Sequence, residues 1–181
     1  MSDDSTSQGG WRAGSVEFRP HAYDPATQPE LFEGVLGRRL IAFLIDLFVL
    51  AVPVVAAVIF IAVFGLVTFG LGWLLFWLLS PATVIWALIY YGATMGGPNS
   101  ATIGMRVMDL EIRTWYGSPC YFLLGAVHAI VFWITISVLT PFILLVGLFN
   151  GRRRLLHDML VGTVVINSPA RALVLRANWG A

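Results

Sequence analysis

From Leu47 to Met105 the chain carries no Asp, Glu, Lys, Arg or His. A soluble helix needs one wet face, so an uncharged run of that length belongs in a bilayer, which solvates apolar side chains on every side. Three apolar blocks stand out, at about 40–64, 71–93 and 121–149. As a helix the first would be about 37 Å long, against a hydrocarbon core of about 30 Å. Pro53 predicts a kink in it, tolerable where neighbours satisfy the freed carbonyl. GLVTFG, residues 65–70, is the expected turn. The second block has Trp73 and Trp77 near one end and Tyr90 and Tyr91 at the other, as interfacial aromatic belts do. The third is interrupted by Pro141. One tilted helix fits it, and so does a broken or re-entrant pair of half-helices. It is short for two full crossings of about 20 residues each.

The polar stretches complete the plan. Residues 1–33 are rich in Ser, Gly, Pro and charge, and a segment with so little apolar surface is expected to be a mostly disordered cytoplasmic tail. PELFEGVLGRRL is expected to dock at the membrane surface, with Leu31, Phe32, Val35 and Leu36 dipping in. In the loop at 94–119, Met108, Leu110 and Ile112 alternate with Asp109, Glu111 and Arg113, the period of a half-buried strand. TVVIN, residues 163–167, is β-branched and is the expected partner. The predicted architecture is an all-α membrane protein. It is a small transmembrane helical bundle of three or four membrane segments at 34–167, with a short two-stranded cytoplasmic patch and a C-terminal tail at 168–181.

Composition agrees, with 58% hydrophobic and 12% charged residues. All eleven basic residues are Arg. Arg12, Arg19, Arg38 and Arg39 precede the first block, Arg106 and Arg113 follow the second, and the turn between them is uncharged. Cytoplasmic loops collect basic residues, so the N-terminus is expected in the cytoplasm and the chain multi-pass in the inner membrane. Arg152, Arg153, Arg154, Arg171 and Arg176 follow the third block. An even number of crossings puts them on the same side as the rest, which favours a block that enters and returns, or lies partly in the interface, over one full crossing. The single Cys120 excludes an intrachain disulfide, and no secretory signal is expected.

Asp46 sits inside the first block. Charges at such depth cost up to about 2.5–3.5 kcal/mol on insertion scales and normally take a partner. Arg39 is seven residues earlier, within about 20° on the same face, whereas Arg38 is turned away by about 80°. The pair is also about 10 Å apart along the axis, so each is expected to meet another segment. Arg106 and the Arg152–Arg154 cluster are the candidates for Asp46, and Asp158 is the candidate for Arg39. Together they would form one cytoplasm-side polar knot.

Taken in order, GRRLIAFLIDLFVL, SATIGMRVMDLEI and RRRLLHDMLVGTVVI resemble the RDD family of small membrane proteins over roughly residues 35–167. The resemblance maps the family's arginine to Arg39 and its two aspartates to Asp46 and Asp158, beside His157. Its middle motif maps to Thr102, Gly104 and Arg106. Where the family often has Lys this chain has Met105, one positive charge fewer. The resemblance implies three or four spans and, for some members, transport or cation/proton exchange.

His128 in the third block is read first as a neutral histidine in a helix contact and second as a proton relay. His157 and Asp158 lack a third ligand at helical or loop spacing, so no metal is expected. No phosphate-loop motif and no nucleophile–base arrangement is present, so neither a cofactor nor an enzymatic activity is expected. The expected partners are the lipid bilayer and either further copies of the chain or another membrane protein, and no nucleic acid. The two functional expectations are transport or cation/proton exchange of small ions or solutes, and a non-transporting scaffold or assembly factor.

Overall fold

A computed structural model describes residues 22–139 and 142–179. Helix α1 spans Val35–Val67 and continues unbroken through Pro53. A short 3-10 turn at Leu71–Leu75 leads into α2, Phe76–Met95. These helices form a long antiparallel hairpin. Only 11% and 6% of their most apolar windows are buried, so neither is the core helix of a soluble domain. Both are long and apolar enough to cross a membrane. Phe48, Phe60, Val67 and Trp77 all point outward, more than 60% exposed, a surface that water would not tolerate but hydrocarbon does.

The hairpin closes through a glycine. A Cβ on Gly65 would fall 1.8 Å from the Trp73 ring, so only glycine lets the indole lie against α1. The Trp73 Nε1–H donates to the Ala62 carbonyl at 3.3 Å.

A small cap sits on the open end of the hairpin. It contains α3 (Ile103–Val107), β1 (Leu110–Thr114), α6 (Leu156–Val161), β2 (Thr163–Asn167) and α7 (Pro169–Trp179). The strands pair antiparallel, Leu110 opposite Asn167 and Thr114 opposite Thr163, as the alternation and the TVVIN segment predict. One face differs from the pattern. Glu111 is buried and grips Arg113, two residues on, with two 3.0 Å hydrogen bonds.

The third apolar block is two helices, α4 (Phe122–Leu139) and α5 (Phe142–Phe149). Small residues bring α4 onto α2. A Cβ on Gly96 would lie 2.3 Å from the Phe122 nitrogen, and one on Gly125 would lie 3.0 Å from the Tyr91 carbonyl oxygen. At the far end of the block, Gly147 rests against Leu36 and Leu155. Both ends of the block therefore lie on the cap side of the hairpin.

Two sequence expectations need correction. Residues 22–33 are a packed strap, not tail. Ala22 N–H donates to the Trp115 carbonyl at 3.2 Å, and Asn167 Nδ2 donates to the carbonyls of Glu30 and Glu33. Residues 1–21 of the expected tail lie outside the described residues. Likewise Phe32 and Val35 do not dip into the membrane: Phe32 packs on Val164 and Ile166, and Val35 is wholly buried in the core. The apolar face of the sheet outcompetes the bilayer for them, because it lies directly beneath. The C-terminal tail is the helix α7, docked on the strap through Ala172 and Leu175 and by the Arg176–Glu30 ion pair.

Replacing Gly65 with Val should open the hairpin turn. A lower melting temperature in detergent is expected, equivalent to about 1–3 kcal/mol of overpacking, with Trp73 fluorescence shifted.

Candidate functional site

Two buried clasps join the cap to the hairpin, and they use different chemistry. The first holds Asp46. Its Oδ1 accepts hydrogen bonds from the Tyr90 hydroxyl at 2.6 Å and the Gly104 N–H at 2.8 Å, and its Oδ2 accepts from the Thr102 hydroxyl at 2.6 Å. Thr102 is well placed because it caps α3, its oxygen accepting from the Met105 N–H at 3.1 Å. Glycine is required at 104. A Cβ there would sit 2.1 Å from the Ala42 carbonyl oxygen and 2.9 Å from Asp46 Oδ1. All three donors are neutral. They solvate the carboxylate in place of water, since an ionised carboxylate only accepts.

The second clasp is ionic. Arg39 donates Nη1 to Asp158 Oδ2 at 2.5 Å and Nη2 to Oδ1 at 3.0 Å, a two-pronged fork on a carboxylate with no exposed surface. The Leu155 N–H also donates to Oδ2, at 2.9 Å, so Asp158 closes the first turn of α6 as well. Arg154 braces the same turn, donating to the carbonyls of Asp158 and Thr163 and lying 3.6 Å over the Trp115 ring.

The expected single knot is thus two clasps. Arg39 does meet Asp158, as the sequence predicts. No arginine among the described residues hydrogen-bonds Asp46. Arg106 turns back to the Ala101 carbonyl, Arg152 goes to the Tyr23 carbonyl and Arg153 to that of Leu148. The reason is geometric: α3 presents its first turn to α1, so an N–H and a hydroxyl arrive where a guanidinium was expected. Tyr90 was hidden within the aromatic belt, and only its adjacency to the hairpin's polar end hinted at a second role. The Gly92–Gly96 spacing, small residues four apart, was the readable sign that another helix would pack there.

Folding also brings together a group that linear spacing did not show. His128 on α4 and His157 and Asp158 on α6 each offer a donor atom within 4.8 Å of the others, a set of the type that holds a metal. Arg39 competes for it, because its Nη2 bonds Asp158 Oδ1 and lies 3.3 Å from His157 Nε2. A second cation there would have to displace a charge-assisted fork. The His128 Nδ1 is 3.2 Å from the Thr163 hydroxyl, whereas the buried His157 Nδ1 has no hydrogen-bond partner among the described residues.

Between the clasps lies a half-open cavity of about 180 Å³. Arg39, Asp46, Thr102, His128 and His157 reach its wall, and Phe43, Tyr91 and Phe132 give it aromatic sides.

A hairpin of apolar helices, clasped to a small α/β cap by buried polar residues, defines a membrane-associated helical protein. The model of the RDD family matches residues 34–162, and the chain belongs to that family. No curated protein and no solved structure matches it.

The clasps make separable predictions. Asp158→Asn strands a buried guanidinium and should cost about 3–5 kcal/mol, read as a lower melting temperature in mild detergent. Arg39→Lys keeps the charge, loses the fork, and should also melt lower. Acid acts on this site in a defined order. Burial pushes His157 down to about 3. Burial alone would raise Asp158, but the Arg39 guanidinium holds its carboxyl well below the usual carboxylate range. A histidine kept neutral by the fold contributes fully above its unfolded value of about 6.5 and loses that contribution as pH falls toward its folded value. Asp158 contributes above about 3.9 and loses its share only below that. Melting temperature should therefore decline between about pH 6.5 and about pH 4 as His157 is kept neutral by the fold, and His157→Gln should lessen that decline.

Proposed function

We propose that this RDD-family protein handles small ions or solutes at the inner membrane, as a transporter or proton-coupled exchanger working as an oligomer. The carrying observation is the cavity, where ionisable side chains of α1, α4 and α6 converge between apolar helices and cap. Ionisable groups at that depth are rare and mark ligand or proton sites by default. Two long helices enclose no pathway by themselves, so the path would run between protomers.

In this reading α1 and α2 cross the bilayer, while α4 and α5 enter and return. Support comes from Gly96–Phe122 and Gly147–Leu36, which put both ends of the block beside the cap. All described arginines then lie on the cap side, which the basic-residue bias makes cytoplasmic, with the N-terminus.

A second reading, a non-transporting scaffold for another membrane protein, has its own observation. Both aspartates are gripped by internal donors, as parts of a lock would be.

Proton and sodium flux in proteoliposomes, with and without Asp46→Asn, decides between them. The transport reading expects a pH-dependent flux that the variant reduces about tenfold or more, because an intramembrane carboxylate on this reading carries the proton or ion. Equal leak in both, with the variant still folded, leaves the scaffold.

A further inference from the structure

We propose that the cavity between the clasps is a binding site for a small organic monocation, an amine with an apolar body. The inference deepens the solute-handling reading and takes from it only the sense that binding serves movement.

Three features of the cavity converge on that chemistry. Its size, about 180 Å³, exceeds the roughly 150 Å³ of an apolar cavity that accepts benzene. Its sides carry the rings of Phe43, Tyr91 and Phe132, whose faces attract ammonium groups within about 6 Å.

The third feature is charge. Asp46 is 4% exposed and reaches the wall, and its three donors leave an acceptor position open: Oδ1 takes two hydrogen bonds and Oδ2 takes one. Arg39 also lines the cavity, but it is neutralised as a pair by Asp158. The formal charge left over is the Asp46 carboxylate. An anionic head would meet that carboxylate in a low-dielectric pocket and be repelled, whereas an ammonium would complete its hydrogen bonding.

The way in is lateral. Leu40, half-exposed, lines the cavity with the partly exposed Leu36 and Ile136, and the proposal places the way in at this apolar flank of α1. An amine with an apolar body partitions to that level of the membrane and can enter with its charged end leading.

The test uses the full chain in mild detergent, checked for folding by size exclusion and circular dichroism. Binding of benzylammonium, benzyl alcohol and benzoate is measured by calorimetry. Benzylammonium should bind saturably, benzyl alcohol about tenfold more weakly or worse, and benzoate not at all. Asp46→Asn should weaken the amine about tenfold. Met105 joins the first clasp only through its backbone N–H, and its side chain lines the cavity, so Met105→Lys tethers a competing ammonium there and should abolish binding, while Met105→Leu retains it. Saturable binding absent in the wild type, benzoate or benzyl alcohol binding as well as the amine, or amine binding undiminished in folded Met105→Lys overturns the proposal. If a variant fails to fold, the three-ligand series on the wild type decides alone. Amine binding without any flux removes only the transport reading; Asp46-dependent flux without amine binding removes only this one.

Discussion

A buried carboxylate must be met by donors that cannot leave, and this structure is organised around meeting two of them. Asp46 and Asp158 have almost no exposed surface, so the donors have to be built in, and building them in requires other segments to fold back onto α1. Asp46 draws in α2 through Tyr90 and α3 through Thr102 and Gly104. Asp158, reached by Arg39, fixes α6 and with it the turn into β2. The cap therefore owes its position to desolvated charge. Its own interior is small, two five-residue strands and three short helices, and such a unit buries too little apolar surface to hold itself together unaided.

Much of this was readable in the chain. The two long helices follow from an uncharged run that no soluble core could use, and the strand pair follows from alternation and β-branching at 108–113 and 163–167. Arg39 and Asp46 were correctly refused to each other, because seven residues of helix separate them by two turns. The destination of Asp46 was not readable. A backbone N–H leaves no trace in a sequence beyond the glycine that exposes it, and Gly104 looks like any loop glycine until Ala42 is seen pressed against it. The strap at 22–33 was misread for a related reason. Its composition is polar, yet a few residues, Tyr23, Glu30 and Phe32, find ready-made partners, and composition carries no information about partners.

The third apolar block shows how packing settles what length leaves open. Twenty-nine residues suit one tilted helix or two short ones, and hydropathy is equal for both. Contacts decide. Gly92, Gly96 and Gly125 let α4 approach α2 closely at its cap end, and His128 and Phe132 on α4 then stand beside His157 on α6. A helix committed to those neighbours stays near the cap for much of its length, since Phe43 on the third turn of α1 is still within ring contact of Phe132 and Trp133. The cavity exists because α4 leans across in this way and leaves space between itself and α1.

The two clasps differ in a respect that bears on function. The Arg39–Asp158 fork is neutral as a pair, and replacing such pairs by apolar residues often leaves stability unchanged, so its value lies in directionality: a planar fork admits one register of α6 on α1. Asp46 is held by neutral dipoles, which solvate a charge without cancelling it. Its field therefore persists in the cavity, and the cost of keeping it falls on the fold. A purely mechanical clasp gains little from an uncancelled charge, since an asparagine oxygen could accept from the Tyr90 hydroxyl and the Gly104 N–H while its amide group donated to the Thr102 oxygen. That difference is the physical ground on which the proposed ligand-facing role falls to Asp46 and not to the ionic fork.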